Sequence, residues 1–127
     1  MKDNYWLSLS AGLMMLAVGL GAFGAHGLED QLSAKQMATW QTAVFYHFIH
    51  AIALLVLSLA ALIKPTLRFK GIKTGLLLGI VFFSASLYFW VLTSWQPLVF
   101  ITPVGGIIWL ISWLAFSYQA WFFKTST

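Results

Sequence analysis

"GLGAFGAHG", residues 19–27, carries G-x-G-x-x-G at Gly19, Gly21 and Gly24, the spacing of a dinucleotide-binding turn. That fingerprint works only between a strand and a helix, with an acid about 20 residues further on to hold the ribose. Val44 stands at that place. The surrounding stretch, Trp6 to His26, contains no Asp, Glu, Lys or Arg. Its length of about 20 residues matches a hydrocarbon core about 30 Å thick, crossed at 1.5 Å per residue. The glycines therefore belong to a membrane helix, where small residues let a neighbouring helix approach closely, and the sequence predicts no bound nucleotide. Ala17, Gly21 and Ala25 recur every four residues on one face, with Gly24 beside them, and Gly71, Gly75 and Gly79 repeat the spacing later. Both sets read as helix-packing surfaces.

The rest of the chain agrees. Of its 127 residues 61% are hydrophobic and 8% charged, against about 25% charged in a soluble domain. Too few charges remain to cover a water-facing surface. Three more apolar stretches follow the first: Ala43 to Ile63, Ile72 to Ser94 and Pro103 to Phe123. Apart from Lys73 near the start of the third, they hold no charged residue. In a bilayer every backbone polar group needs an internal partner, so each stretch must be helical. The expected fold is an all-α membrane protein, one four-transmembrane-helix bundle over residues 1–127. The first span is too long for a signal-peptide core, and cleavage after Ala25 would set Phe23 at a position that wants a small residue. It is expected to be retained.

Orientation follows from charge. Four spans put both termini and the middle loop on one side, which carries Lys2, Lys64, Arg68, Lys70, Lys73 and Lys124, while the other carries only Lys35. Positive loops stay in the cytoplasm, so both termini are expected inside (N-in/C-in) in a multi-pass protein of the bacterial inner membrane. Tyr5, Trp6 and Trp121 fall near the inner boundary, and Trp40, Tyr46, Trp90 and Trp95 near the outer one, as interfacial anchors. The net charge of +4 forms no phosphate-binding stripe, which argues against nucleic acid. Without cysteine there are no disulfides, thiolate metal sites or thiol redox chemistry.

The outer connections carry caps. Gly27 can take the left-handed position that ends a helix. Ser33 and Gln36 form the capping box S-x-x-Q, so a helix starts near Ala34 and runs on into the second span. Thr102 followed by Pro103 reads as a further helix start, with "WQPLVFI" before it as a short non-helical crossing.

Apart from tyrosines, the ionisable side chains at membrane depth are His26, His47 and His50. At about 1.5 Å per residue from Lys64, His50 lies roughly 21 Å and His47 roughly 25 Å above the inner boundary. Three histidines can make a zinc or copper site, and two on different helices can clamp a haem iron. Alternatively each neutral imidazole hydrogen-bonds across helices and fixes packing. His-x-x-His is a weak signal, and packing is the preferred reading, with no obligatory metal and no cofactor. Ser86, Tyr88 and Thr102 share that half of the membrane, as do Thr42, Thr93 and Ser94. His26 and His50 are expected to face the interior and form a polar cluster with such groups. A proton-coupled exporter would need an acid within the membrane, and a quinone-linked disulfide enzyme would need cysteines.

The blocks "GAFGAHGL" (21–28), "WQTAVFYHFIHAIALL" (40–55), "SASLYFWVLT" (84–93) and "ITPVGG" (101–106) resemble the signature of a small membrane protein family. It is known as domain of unknown function 423 and is related to the eukaryotic transmembrane protein 256. The resemblance spans nearly the whole chain. It implies a four-helix bacterial inner-membrane protein and supplies no reaction, ligand or catalytic residue. The family pattern has Gln where this chain has His47 and "SGSLY" where it has "SASLY", which lowers the weight of a three-histidine metal site. The leading functional reading is a non-enzymatic accessory or assembly partner of a larger membrane complex, or a homo-oligomer. The runner-up is a binding or transport module for a metal, haem or lipid-like ligand in the outer half.

Overall fold

A computed structural model describes residues 2–124. The chain folds into four long apolar helices, α1 (Asp3–His26), α2 (Ala34–Ile63), α3 (Ile72–Thr93) and α4 (Leu98–Trp121), with no strand among the described residues. Each is long and apolar enough to cross a membrane. Large apolar side chains such as Met15, Phe100, Leu110 and Leu114 stand exposed on the outside of the bundle, as a lipid solvent requires.

Of the four helices α2 alone begins with a side-chain cap on its free amides. The Ser33 hydroxyl accepts from the Gln36 amide, and the Gln36 side chain accepts from the Ser33 amide, so the capping box sets the start of α2. Gly27 is not left-handed, its φ being −87°. The left-handed residues are Phe69 (φ +41°), Gly71 (φ +84°) at the start of α3, and Ser94 (φ +55°), which ends α3. A side chain at Gly71 would be strained, and nothing packs against that position. Its place in the small-residue stripe is corrected on that ground: it turns the chain.

The last connection is also corrected. Pro97 precedes α4, Leu98–Ile101 is already helical and Pro103 lies inside the helix. Pro103 is past the four opening amides that lack an internal acceptor, so it removes one backbone bond, the one an amide there would give to the Val99 carbonyl. Thr102 therefore does not cap. Its hydroxyl bonds back to the Leu98 carbonyl.

α2 is the shared wall of the bundle, with α1 against one side and α3 against another, while α4 packs mainly on α3. In the middle of α3 the backbone widens to a π-turn, Ile80–Ala85. Gly105 of α4 lies directly on this turn, where an added Cβ would strike the Phe82 and Phe83 backbone.

Two tryptophans use the glycines in the same way. Trp40 is 1% exposed, a core residue and not the outer anchor its position implied. Its indole occupies the space above Gly24, and its N–H donates to the Leu20 carbonyl at 2.9 Å. Trp109 of α4 fills the space above Gly79 and donates to the Leu76 carbonyl at 3.1 Å. A helix carbonyl keeps a second lone pair after its backbone bond, and a missing side chain uncovers it. Gly21 meets Val44 and Gly75 meets Ser112 in the same seams. Ala17 is buried, and Ala25 is exposed.

Candidate functional site

His47 and His50 sit three residues apart on α2, so they project in directions about 60° apart, and they turn to different neighbours. His47 is 1% exposed, with Nδ1 3.0 Å from the Tyr88 hydroxyl of α3. Tyr88 in turn packs on the Trp40 ring, centroids 4.9 Å apart. One turn along each helix, the Ser84 hydroxyl donates to the Ala43 carbonyl at 2.9 Å. The His47 Nε2 is buried without a hydrogen-bond partner among the described residues.

His50 faces α4. Its Nε2 accepts from the Trp113 indole N–H at 3.1 Å, its Nδ1 lies 2.7 Å from the Tyr46 carbonyl oxygen, and its ring stacks flat on Trp109 at 3.7 Å. These partners fix the proton. An indole N–H only donates and a carbonyl only accepts, so Nε2 is bare and Nδ1 carries the hydrogen. Both nitrogens of this neutral ring are occupied, and neither is free for a metal.

Ser86 and Thr102 make a third contact, hydroxyl to hydroxyl at 2.6 Å, between α3 and α4. The single outer-half cluster is thus corrected to three separate contacts: His47 with Tyr88, His50 with two tryptophans of α4, and Ser86 with Thr102. His26 joins none. It is exposed at the end of α1, because the Trp40–Gly24 seam turns the last turn of α1 so that His26 points away from α2. Thr42 bonds its own helix at Ala38, and Thr93 does the same at Phe89. Among the described residues no three His, Asp or Glu side chains converge. The contacts hold helices together in an apolar medium, and none presents an acid–base pair to a cavity.

At the lysine-rich end the structure adds a site that sequence reasoning missed. Asp3, in the first turn of α1, is buried against Lys73 and Arg68, with Lys73 Nζ 2.6 Å and Arg68 Nε 3.0 Å from its carboxylate. Lys73 also stands over the Trp6 ring, 5.6 Å from its centroid, so Trp6 is a packed residue. The signal was present: Asp3 is the only acid among the residues at that end of the spans. The partners of His50 left no such signal, since nothing in the sequence marks which helix Trp109 and Trp113 face.

Four apolar helices tied by interior hydrogen bonds define a small polytopic α-helical membrane protein. The chain belongs to the family described as "Protein of unknown function (DUF423)", which it matches over residues 20–106. It is 49% identical to a "UPF0382 membrane protein" of Staphylococcus epidermidis, over 86% of this chain and 88% of that one. The "UPF0382 membrane protein YwdK" of Bacillus subtilis is 44% identical over 86% and 89% of the two chains. The "UPF0382 inner membrane protein YgdD" of Escherichia coli is 36% identical over 89% and 86%. No solved structure matches this chain. The family match includes His47, His50, Tyr88, Ser86 and Thr102 and stops short of Asp3, Trp109 and Trp113.

Proposed function

We propose that this protein is a non-enzymatic inner-membrane subunit that packs against a larger membrane protein, with both termini in the cytoplasm. One contrast supports the reading. His47, His50, Ser84 and Ser86 each bond a neighbouring helix, and none of them lines the bundle's outer groove. That groove, of about 540 Å³, opens on the outside between α1 and α2, lined by Ala17, Gly21, Ala22 and Ala25 on one wall and by Val44 and Phe48 on the other. Close approach along small residues is how membrane helices associate. α1 packs chiefly on α2, which leaves this flank free for a partner helix.

A photo-crosslinking side chain placed at Ala22, with a control at Leu110 on α4, tests the reading in intact cells. A discrete protein adduct from Ala22 and none from Leu110 supports it. An adduct of twice the chain mass assigns the partner as a second copy. Crosslinks to lipid alone would overturn a protein partner and favour a lipid-like ligand in the groove.

A further inference from the structure

We propose that the lysine-rich end of the bundle holds a binding site for the phosphate of an anionic phospholipid. An open cavity of about 1010 Å³ lies between the start of α1 and the loop before α3, and Lys2, Arg68, Lys70 and Lys73 line it together with Trp6 and Thr74. Its single carboxylate, Asp3, is already engaged by Lys73 and Arg68. That ion pair forms the floor and fixes the two cations. Arg68 keeps three of its five N–H groups without a partner among the described residues, and its side chain is 64% exposed. Lys2 and Lys70 are exposed and pair with no carboxylate among the described residues. The cavity therefore carries four cations against one acid, with donors left over.

Phosphate chemistry fits this surplus, because an arginine fork and lysine ammonium groups are its usual partners. Two features favour a lipid over a free ion. The cavity opens where two spans end, at the depth where phospholipid phosphates lie, so a lipid reaches it by lateral diffusion. Its wall also includes Tyr5, 57% exposed, and Trp6, aromatic side chains that suit the boundary between headgroups and acyl chains. A zwitterionic headgroup fits less well, since its ammonium group would find Asp3 already occupied. This inference is independent of the partner reading, which concerns the opposite half of α1.

The test uses the full-length protein in mixed vesicles of phosphatidylglycerol and phosphatidylcholine, extracted in neutral detergent, with retained lipid measured by native mass spectrometry. The expected result is one phosphatidylglycerol retained in preference to phosphatidylcholine. The double variant Lys2→Gln/Lys70→Gln, which spares the Asp3 ion pair, should lower retention about tenfold. The control Lys35→Gln/Lys64→Gln removes the same charge outside the cavity and should leave retention unchanged. Equal losses in both variants would overturn the site in favour of general surface attraction. Equal retention of the two lipids would overturn the preference for an anionic headgroup. In a competition arm, short-chain phosphatidylglycerol should displace the retained lipid and inorganic phosphate should not; equal displacement by both would overturn the lipid assignment.

Discussion

His50 touches three aromatic residues and a backbone carbonyl, and each contact restricts what can replace it. A glutamine keeps one donor and one acceptor, so His50→Gln should retain most of the stability. His50→Leu removes both and strands the Trp113 indole and the Tyr46 carbonyl, at a cost of about 1–3 kcal/mol, read as a lower melting temperature in detergent. Tyr88→Phe should cost less, about 1 kcal/mol, in line with interhelical hydrogen bonds between membrane helices. His26→Leu, at an exposed position, should change stability by no more than about 0.5 kcal/mol. The sequence made the depth of the three histidines legible, because rise per residue sets depth. It could not show which neighbour each ring meets. α4 is apolar on every side, so no polar stripe reveals which way it turns or which helix Trp109 and Trp113 face.

Helices in this bundle approach through glycine, and the neighbouring atom decides how far each site tolerates a side chain. At Gly105 an added methyl would strike the backbone of the π-turn, which cannot rotate away. Gly105→Ala should therefore destabilise by about 1–3 kcal/mol. Gly75→Ala meets the Ser112 hydroxyl, a small group that can swing aside, and should cost less. Gly19 and Gly12 have nothing within 4 Å, so alanine there should be neutral or slightly stabilising, since glycine is the poorer helix former. Thermal melts of the series test the order; equal losses at Gly105 and Gly19 would mean the α3–α4 seam is not as close as described. The ion pair at the foot of α1 adds a polar tie between elements. Asp3→Asn should lower the melting temperature more than Arg68→Gln, because Lys73 is the buried partner and Arg68 is largely exposed. Helix number and the capping box of α2 were legible from composition and a four-residue motif. The start of α4 was not, because Thr102-Pro103 satisfies the rule for a helix start equally well one turn inside a helix. Nor was the π-turn, which arises where α3 meets Gly105 and has no local sequence mark.

Across the whole molecule, charge and hydropathy together predict how the bundle sits in its membrane. Six of the seven cations fall at the end shared by the two termini and the loop between α2 and α3, and Lys35 alone falls at the other. The structure shows that two of the six are committed to Asp3, which leaves Lys2, Lys64, Lys70 and Lys124 to act on orientation. Four against one still predicts the cytoplasm for that end, because the rule counts short-loop lysines and arginines, and acids contribute little. Single cysteines test this cleanly, since the chain has none of its own. Asp30 and Thr66 suit the purpose: both are exposed, at opposite ends of the bundle, and neither caps a helix, whereas Ser33 belongs to the capping box of α2. In intact cells a membrane-impermeant thiol reagent should label Asp30→Cys and leave Thr66→Cys untouched until the membrane is opened. The reverse pattern would invert the topology and, with it, the leaflet in which the basic cavity meets its lipid. Labelling of both in intact cells would mean that the spans do not alternate, which four helices crossing in turn do not permit.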